Sequence, residues 1–91
     1  MKRNVEDIDG AELDTLIESI IGRHTTNAET HSIMEAAGHY VATNPDRKRR
    51  DDPRYFMASV EAGVWVYGPS HMTAMKRAFV AAHHGMQVTV D

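Results

Sequence analysis

Gly68-Pro69-Ser70-His71-Met72-Thr73-Ala74-Met75-Lys76-Arg77-Ala78-Phe79-Val80 is the stretch that decides the fold. Gly68 and Pro69 end the aromatic run before it, and Ser70 is a residue type that caps a helix by accepting from an early backbone N–H. Met72, Met75, Phe79 and Ala82 recur at helical spacing, which predicts a helix over about 71–84. Gly85 suits the position after it, where positive φ is wanted. Met86, Val88 and Val90 then alternate with Gln87 and Thr89, the mark of a final strand.

Upstream, Tyr55–Val60 and Val64–Tyr67 are rich in aromatic and β-branched residues and are joined by Glu61-Ala62-Gly63, which predicts a hairpin. Phe56, Ala58 and Val60 share one face of the first strand, and Tyr55, Met57 and Ser59 the other. Val64 and Val66 oppose Trp65 and Tyr67 in the same way. Large apolar groups lie on both faces, so both are expected to be covered. The last strand-helix-strand step would be a right-handed crossover if its strands are parallel.

Toward the N-terminus, Asp9 and Glu12 are spaced as a capping box, and Leu13, Leu16, Ile17, Ile20 and Ile21 form an amphipathic stripe. That predicts a helix from about Gly10 to Arg23, closed near Gly22. Thr26 and Glu29 form a second capping box. A buried stripe of Ile33, Met34, Ala37, Tyr40 and Val41 carries this second helix to the stop at Asn44-Pro45. Residues 46–54 are polar, charged and bounded by prolines, hence an exposed loop. The expectation is one α+β domain over 1–91, in the order α-α-β-β-α-β, with a three-stranded sheet.

The chain has 91 residues, 42% of them hydrophobic, and no cysteine. It is read as folded, without disulfides, and at home in a reducing cytoplasm. No apolar run approaches the roughly 20 residues that span a bilayer, and no signal-peptide core stands at the N-terminus, so no membrane association is expected. The net charge of −3 is segregated. Glu6, Asp7, Asp9, Glu12, Asp14 and Glu18 crowd the start, and Arg47, Lys48, Arg49, Arg50 and Arg54 form a basic block tempered by Asp51 and Asp52. The missing basic excess disfavours nucleic acid as partner. A core this small, with apolar hairpin faces, points to a homo-oligomer, and Val80 falls on the outward side of its helix as a subunit contact.

His31, Glu35 and His39 follow one another at helical spacing, but turns of one straight helix diverge, so no metal is assigned. His83 and His84 lie in a last helical turn, where they complement free carbonyls. No phosphate loop, cysteine cluster or nucleophile triad is present, and the chain is read as non-enzymatic and without a cofactor. The strongest candidate site is an anion site at the start of the 71–84 helix. Ser70 caps it, Thr73 and Arg77 rise on one face, and Lys76 adds charge, with Arg77 lying off the buried stripe. Trp65 and Tyr67 offer stacking surfaces, and His71 and Arg50 complete the set.

Ile8-Asp9-Gly10-Ala11-Glu12-Leu13-Asp14 resembles the opening motif of the NinX family of lambdoid phages, Leu-Thr-Gly-Ala-x-Leu-Asp. Tyr55-Phe56-Met57-Ala58 resembles that family's aromatic-x-Ala strand. Gly68, Ser70, Met72, Ala74 and Arg77 fall where the family has Gly, Thr, Leu, Ala and Arg, and Phe79, Val80, Gly85 and Val88 continue the likeness. The resemblance spans roughly the first 20 and last 37 residues. The middle departs from it, and His71 and Met75 replace the family's Pro and Ala. It implies a small phage accessory protein in the cytoplasm of an infected bacterium. The leading expectation is therefore a non-enzymatic protein that captures a small anionic, nucleotide-like ligand, such as a signal of anti-phage defence. The alternative is a protein-interaction module working through the acidic first helix or the basic loop. A third is an enzyme acting on a nucleotide, with His71 or His83 as acid–base group.

Overall fold

A computed structural model describes residues 1–89. Strand β1 (Lys2–Asn4) leads through a single 3-10 turn at Val5–Asp7 into helix α1 (Gly10–Ile21) and helix α2 (Asn27–Ala36). Strands β2 (Val41–Thr43), β3 (Phe56–Glu61) and β4 (Val64–Gly68) follow, then helix α3 (His71–His84) and strand β5 (Gln87–Thr89). The fold is α+β, with three helices, an antiparallel sheet ordered β2-β3-β4 and a separate two-stranded sheet of β1 and β5.

The hairpin forms as expected, with Met57 opposite Tyr67 and Ser59 opposite Trp65, and Gly63 turns at φ 80°. The third strand of its sheet is not the C-terminal one. It is β2, cut from what the stripe pattern assigned to the second helix. That helix ends at Ala36 because Gly38 adopts φ 90° and closes a Schellman motif: His39 N–H donates to Met34 C=O (3.1 Å) and Gly38 N–H to Glu35 C=O (2.9 Å). Past this stop, β-branched Val41 and Thr43 pair with β3 instead. Ala37 and Tyr40, expected in the buried stripe, are exposed.

The second correction concerns β5, which pairs antiparallel with β1 rather than completing a crossover. Lys2-Arg3-Asn4 carries no apolar alternation, so nothing local announces that strand. Val90 lies outside the described residues. Asp9 makes no side-chain cap hydrogen bond, and Gly10 enters α1 at φ 53°, a backbone only glycine adopts cheaply. Thr26 and Glu29 do form the reciprocal capping box, and Gly22 ends α1 in the left-handed region.

The core lies around α3. Ala58 and Val66 of the sheet, Leu13 and Ile17 of α1, Met34 of α2, and Val5, Ile8 and Val88 of the terminal segments close on Met75, Ala78 and Phe79. Packed from several sides, α3 buries Val80 completely, whereas Ala82 is exposed. The outward face assigned to Val80 does not exist. At Gly68 the helix comes so close that a Cβ would lie 2.8 Å from the Ala74 nitrogen.

Candidate functional site

Ser70 caps α3 as expected: the Thr73 N–H donates to Ser70 Oγ at 3.1 Å. Two turns along, however, Arg77 is buried, with 5% of its surface exposed. Its Nε–H donates to Ile8 C=O and an Nη1–H to Tyr67 C=O, both at 2.9 Å. The expectation that Arg77 lies off the buried face is corrected. The Val5–Ile8 segment and the end of β4 lie against that side of α3, and their carbonyls need donors. Burial pulls the guanidinium below its usual pKa, while Asp9, Glu6 and Asp7 pull it back. Three acids of the N-terminal segment thus act as counter-charge to a buried arginine.

The remaining expected residues do not converge. Lys76 is paired with Asp14 of α1 at 2.6 Å and its side chain is only 15% exposed. Tyr67 shares with Arg77 an open groove of about 440 Å³ that is also lined by Glu6, Asp7, Asp9 and Arg54. Three carboxylates face two guanidiniums there, which opposes an anion. Glu6 accepts from the Tyr67 N–H (2.9 Å), and the Arg54 guanidinium sits 4.1 Å from the Tyr67 ring centre. These contacts fill that end of the sheet from within the chain.

His71 lies on the other side of the sheet, stacked on His31 at 5.7 Å and edge-on to Phe56, over which Arg50 is placed at 5.9 Å. His39, expected to continue the helical spacing of His31 and Glu35, lies past the end of α2 and is buried, with Nδ1 2.9 Å from the Ser59 carbonyl oxygen. Among the described residues no three His, Asp or Glu side chains converge on a metal position. His83 Nδ1 lies 3.0 Å from the Phe79 carbonyl oxygen, one turn earlier within α3.

Trp65 stands apart from all of these, on the face of the β2-β3-β4 sheet opposite α3. The three helices pack on or beyond the inner face, where Ala58, Val66 and Gly68 are buried. The outer face carries Ala42, Met57, Ser59, Trp65 and Tyr67, and the expectation that both faces are covered is corrected. At the hairpin end this face is open. Tyr40 is 66% exposed and Trp65 39%, the two large apolar side chains besides Met1 that are exposed among the described residues.

These two aromatics flank one small residue. Ser59 N–H donates to Tyr40 C=O (2.9 Å), and Ser59 lies directly opposite Trp65, so Tyr40, Ser59 and Trp65 form one row across the sheet. Neighbouring strands are about 4.8 Å apart, so the two aromatics start about 10 Å from each other on the same face. The Ser59 hydroxyl is tied down, donating to Gly38 C=O and accepting from Tyr40 N–H. The result is a slot of about 350 Å³ with aromatic walls, a serine floor and Glu61 at the rim.

Sequence reading placed Tyr40 on a buried helical stripe and passed over Ser59 and Glu61. The signal available was Gly38, followed by a short β-branched run. No helix among the described residues is long and apolar enough to cross a membrane. The chain matches no family model, no curated protein and no solved structure.

Proposed function

We propose that this chain is a non-enzymatic interaction module that docks a protein partner on the open end of its outer sheet face. The carrying observation is the exposure of Tyr40 and Trp65 side by side on a sheet face that no helix covers. Aromatic residues in this setting are the usual anchors of protein interfaces. The basic loop and acidic first helix, the surfaces first considered for docking, hold ion pairs made within the chain: Arg49 with Asp51, Arg47 with Asp52, Lys76 with Asp14. Selection of a random peptide library on wild type, with the Tyr40→Ser/Trp65→Ser variant as counter-selection, tests the reading. Sequences retained by wild type and lost on the variant support it; equal retention contradicts it. Light scattering on both proteins separates a foreign partner from a second copy, the homo-oligomer of the sequence reading.

A second reading, capture of a small nucleotide-like anion, is favoured by the His31–His71 stack beside the first turn of α3, with Arg50 nearby over Phe56. Retention of intact nucleotide by wild type, lost in His71→Ala, is its test. A setting in an infected bacterium rests on the NinX resemblance.

A further inference from the structure

We propose that the slot between Tyr40 and Trp65 takes an arginine side chain presented by the partner protein. The inference rests on the reading of the open sheet face as the docking surface, and it names the group that surface recognises. Three features of the slot point to a flat cation.

The first is spacing. A planar group held between two rings needs about 3.5–4 Å on each side, so about 7–8 Å between the walls. The row Tyr40–Ser59–Trp65 sets its walls two strand spacings apart, about 10 Å at the backbone, over a floor too small to fill the gap. A guanidinium has the required thickness, and its faces stack on aromatic rings.

The second is charge. Glu61 is the one ionisable carboxyl among the residues lining the slot, and it has no ion pair among the described residues. Elsewhere Glu12, Asp14, Glu18 and Glu29 each lie against a cation or histidine. A rim carboxylate with no cation of its own repels phosphate and attracts guanidinium, whose fork matches a carboxylate in two parallel hydrogen bonds. The third is the floor. The Ser59 hydroxyl has both its donor and an acceptor position engaged by Gly38 and Tyr40, so the slot recognises its occupant through ring faces and the rim rather than from below. The other end of the same face provides an intramolecular precedent: Arg54 lies 4.1 Å over the Tyr67 ring, near Glu6.

Trp65 is the only tryptophan of the chain, so its fluorescence reports on this slot alone. The probe is the blocked pentapeptide acetyl-Gly-Ser-Arg-Ser-Gly-amide, titrated beside its citrulline counterpart, which keeps the shape and loses the charge, and beside adenosine monophosphate. The expected result is a saturable change with the arginine peptide and binding about tenfold weaker or worse with citrulline, the loss of roughly 1.4 kcal/mol. Glu61→Gln should weaken the arginine peptide by about five- to tenfold, and added salt should weaken it further. Circular dichroism is the check that Glu61→Gln and Tyr40→Ala remain folded.

Equal binding of the arginine and citrulline peptides, both lost in Tyr40→Ala, would overturn the cation while leaving the face as a docking surface. A stronger response to adenosine monophosphate would overturn the inference in favour of a stacked base. No response to the arginine peptide up to millimolar concentration would overturn it as well, and the library selection then decides separately whether the face docks anything.

Discussion

Trp65 lies three residues before the end of β4 at Gly68 and Arg77 nine residues after it, yet they have opposite fates. Both looked like ligand-binding groups beside one helix start. Arg77 is drawn inside, where its guanidinium joins Ile8 and Tyr67 carbonyls and three nearby acids balance its charge. Trp65 is left outside, facing Tyr40 across a serine. A charged side chain can therefore be the structural element and an aromatic one the free surface. What separates them is the number of elements packed on each side: α3 is enclosed, and the outer sheet face is not.

The comparison is broken most severely at Arg77. Arg77→Ala removes a buried charge and strands two carbonyls, which should cost about 3 kcal/mol or more. For a domain of this size the melting temperature should fall by roughly 12–24 °C. Arg77→Lys should recover only part of this, since one ammonium cannot reproduce the fork that reaches both carbonyls. Thermal melts of the two variants check both statements, and an unchanged melting temperature would remove Arg77 from the core.

Gly68→Ala probes the same enclosed side from the sheet. Its Cβ would meet the Ala74 backbone nitrogen at 2.8 Å, so strand and helix must separate, at a cost of about 1–3 kcal/mol. Chemical denaturation measures it. On the open side, Trp65→Ala should change stability by no more than about 0.5 kcal/mol, as exposed positions usually do. A large loss in the same denaturation assay would show that Trp65 is a core residue.

The smallest effect is a pH dependence at the start of α2. Hydrogen bonding from the Thr26 backbone, then Arg23, holds the Glu29 carboxyl below its usual pKa. Its folded value thus lies below its unfolded one, so its contribution is present above the ordinary carboxylate range and fades as pH falls through the folded value. The stability difference between wild type and Glu29→Gln should exist at pH 7 and shrink toward pH 3, followed by melts across that range.

Where the chain signals its intent locally, the sequence was readable. The Thr26–Glu29 box, the Ser70 cap, the Gly63 hairpin and the α3 helix all appear at their expected places because each rests on contacts a few residues apart. The errors come from contacts at long range. Strand β1 exists because β5 lies beside it, and three polar residues cannot announce that. Tyr40 and Val41 continue a helical stripe on paper, and only Gly38 at φ 90° diverts them into the sheet. Arg77 could be placed on a helix from sequence, but its burial depends on Ile8, some seventy positions earlier. The slot was illegible for the same reason: one wall, Trp65, belongs to β4 and the other, Tyr40, precedes β2 just past a misassigned helix end.

The most direct test of the account is a backbone amide NMR titration with the arginine pentapeptide and, separately, with adenosine monophosphate. The account predicts that the peptide moves the resonances of Tyr40, Ser59, Glu61 and Trp65 and leaves Ser70 through Arg77 in place. Shifts gathered at Ser70–Arg77, with Tyr40, Ser59 and Trp65 unmoved by either ligand, would contradict it.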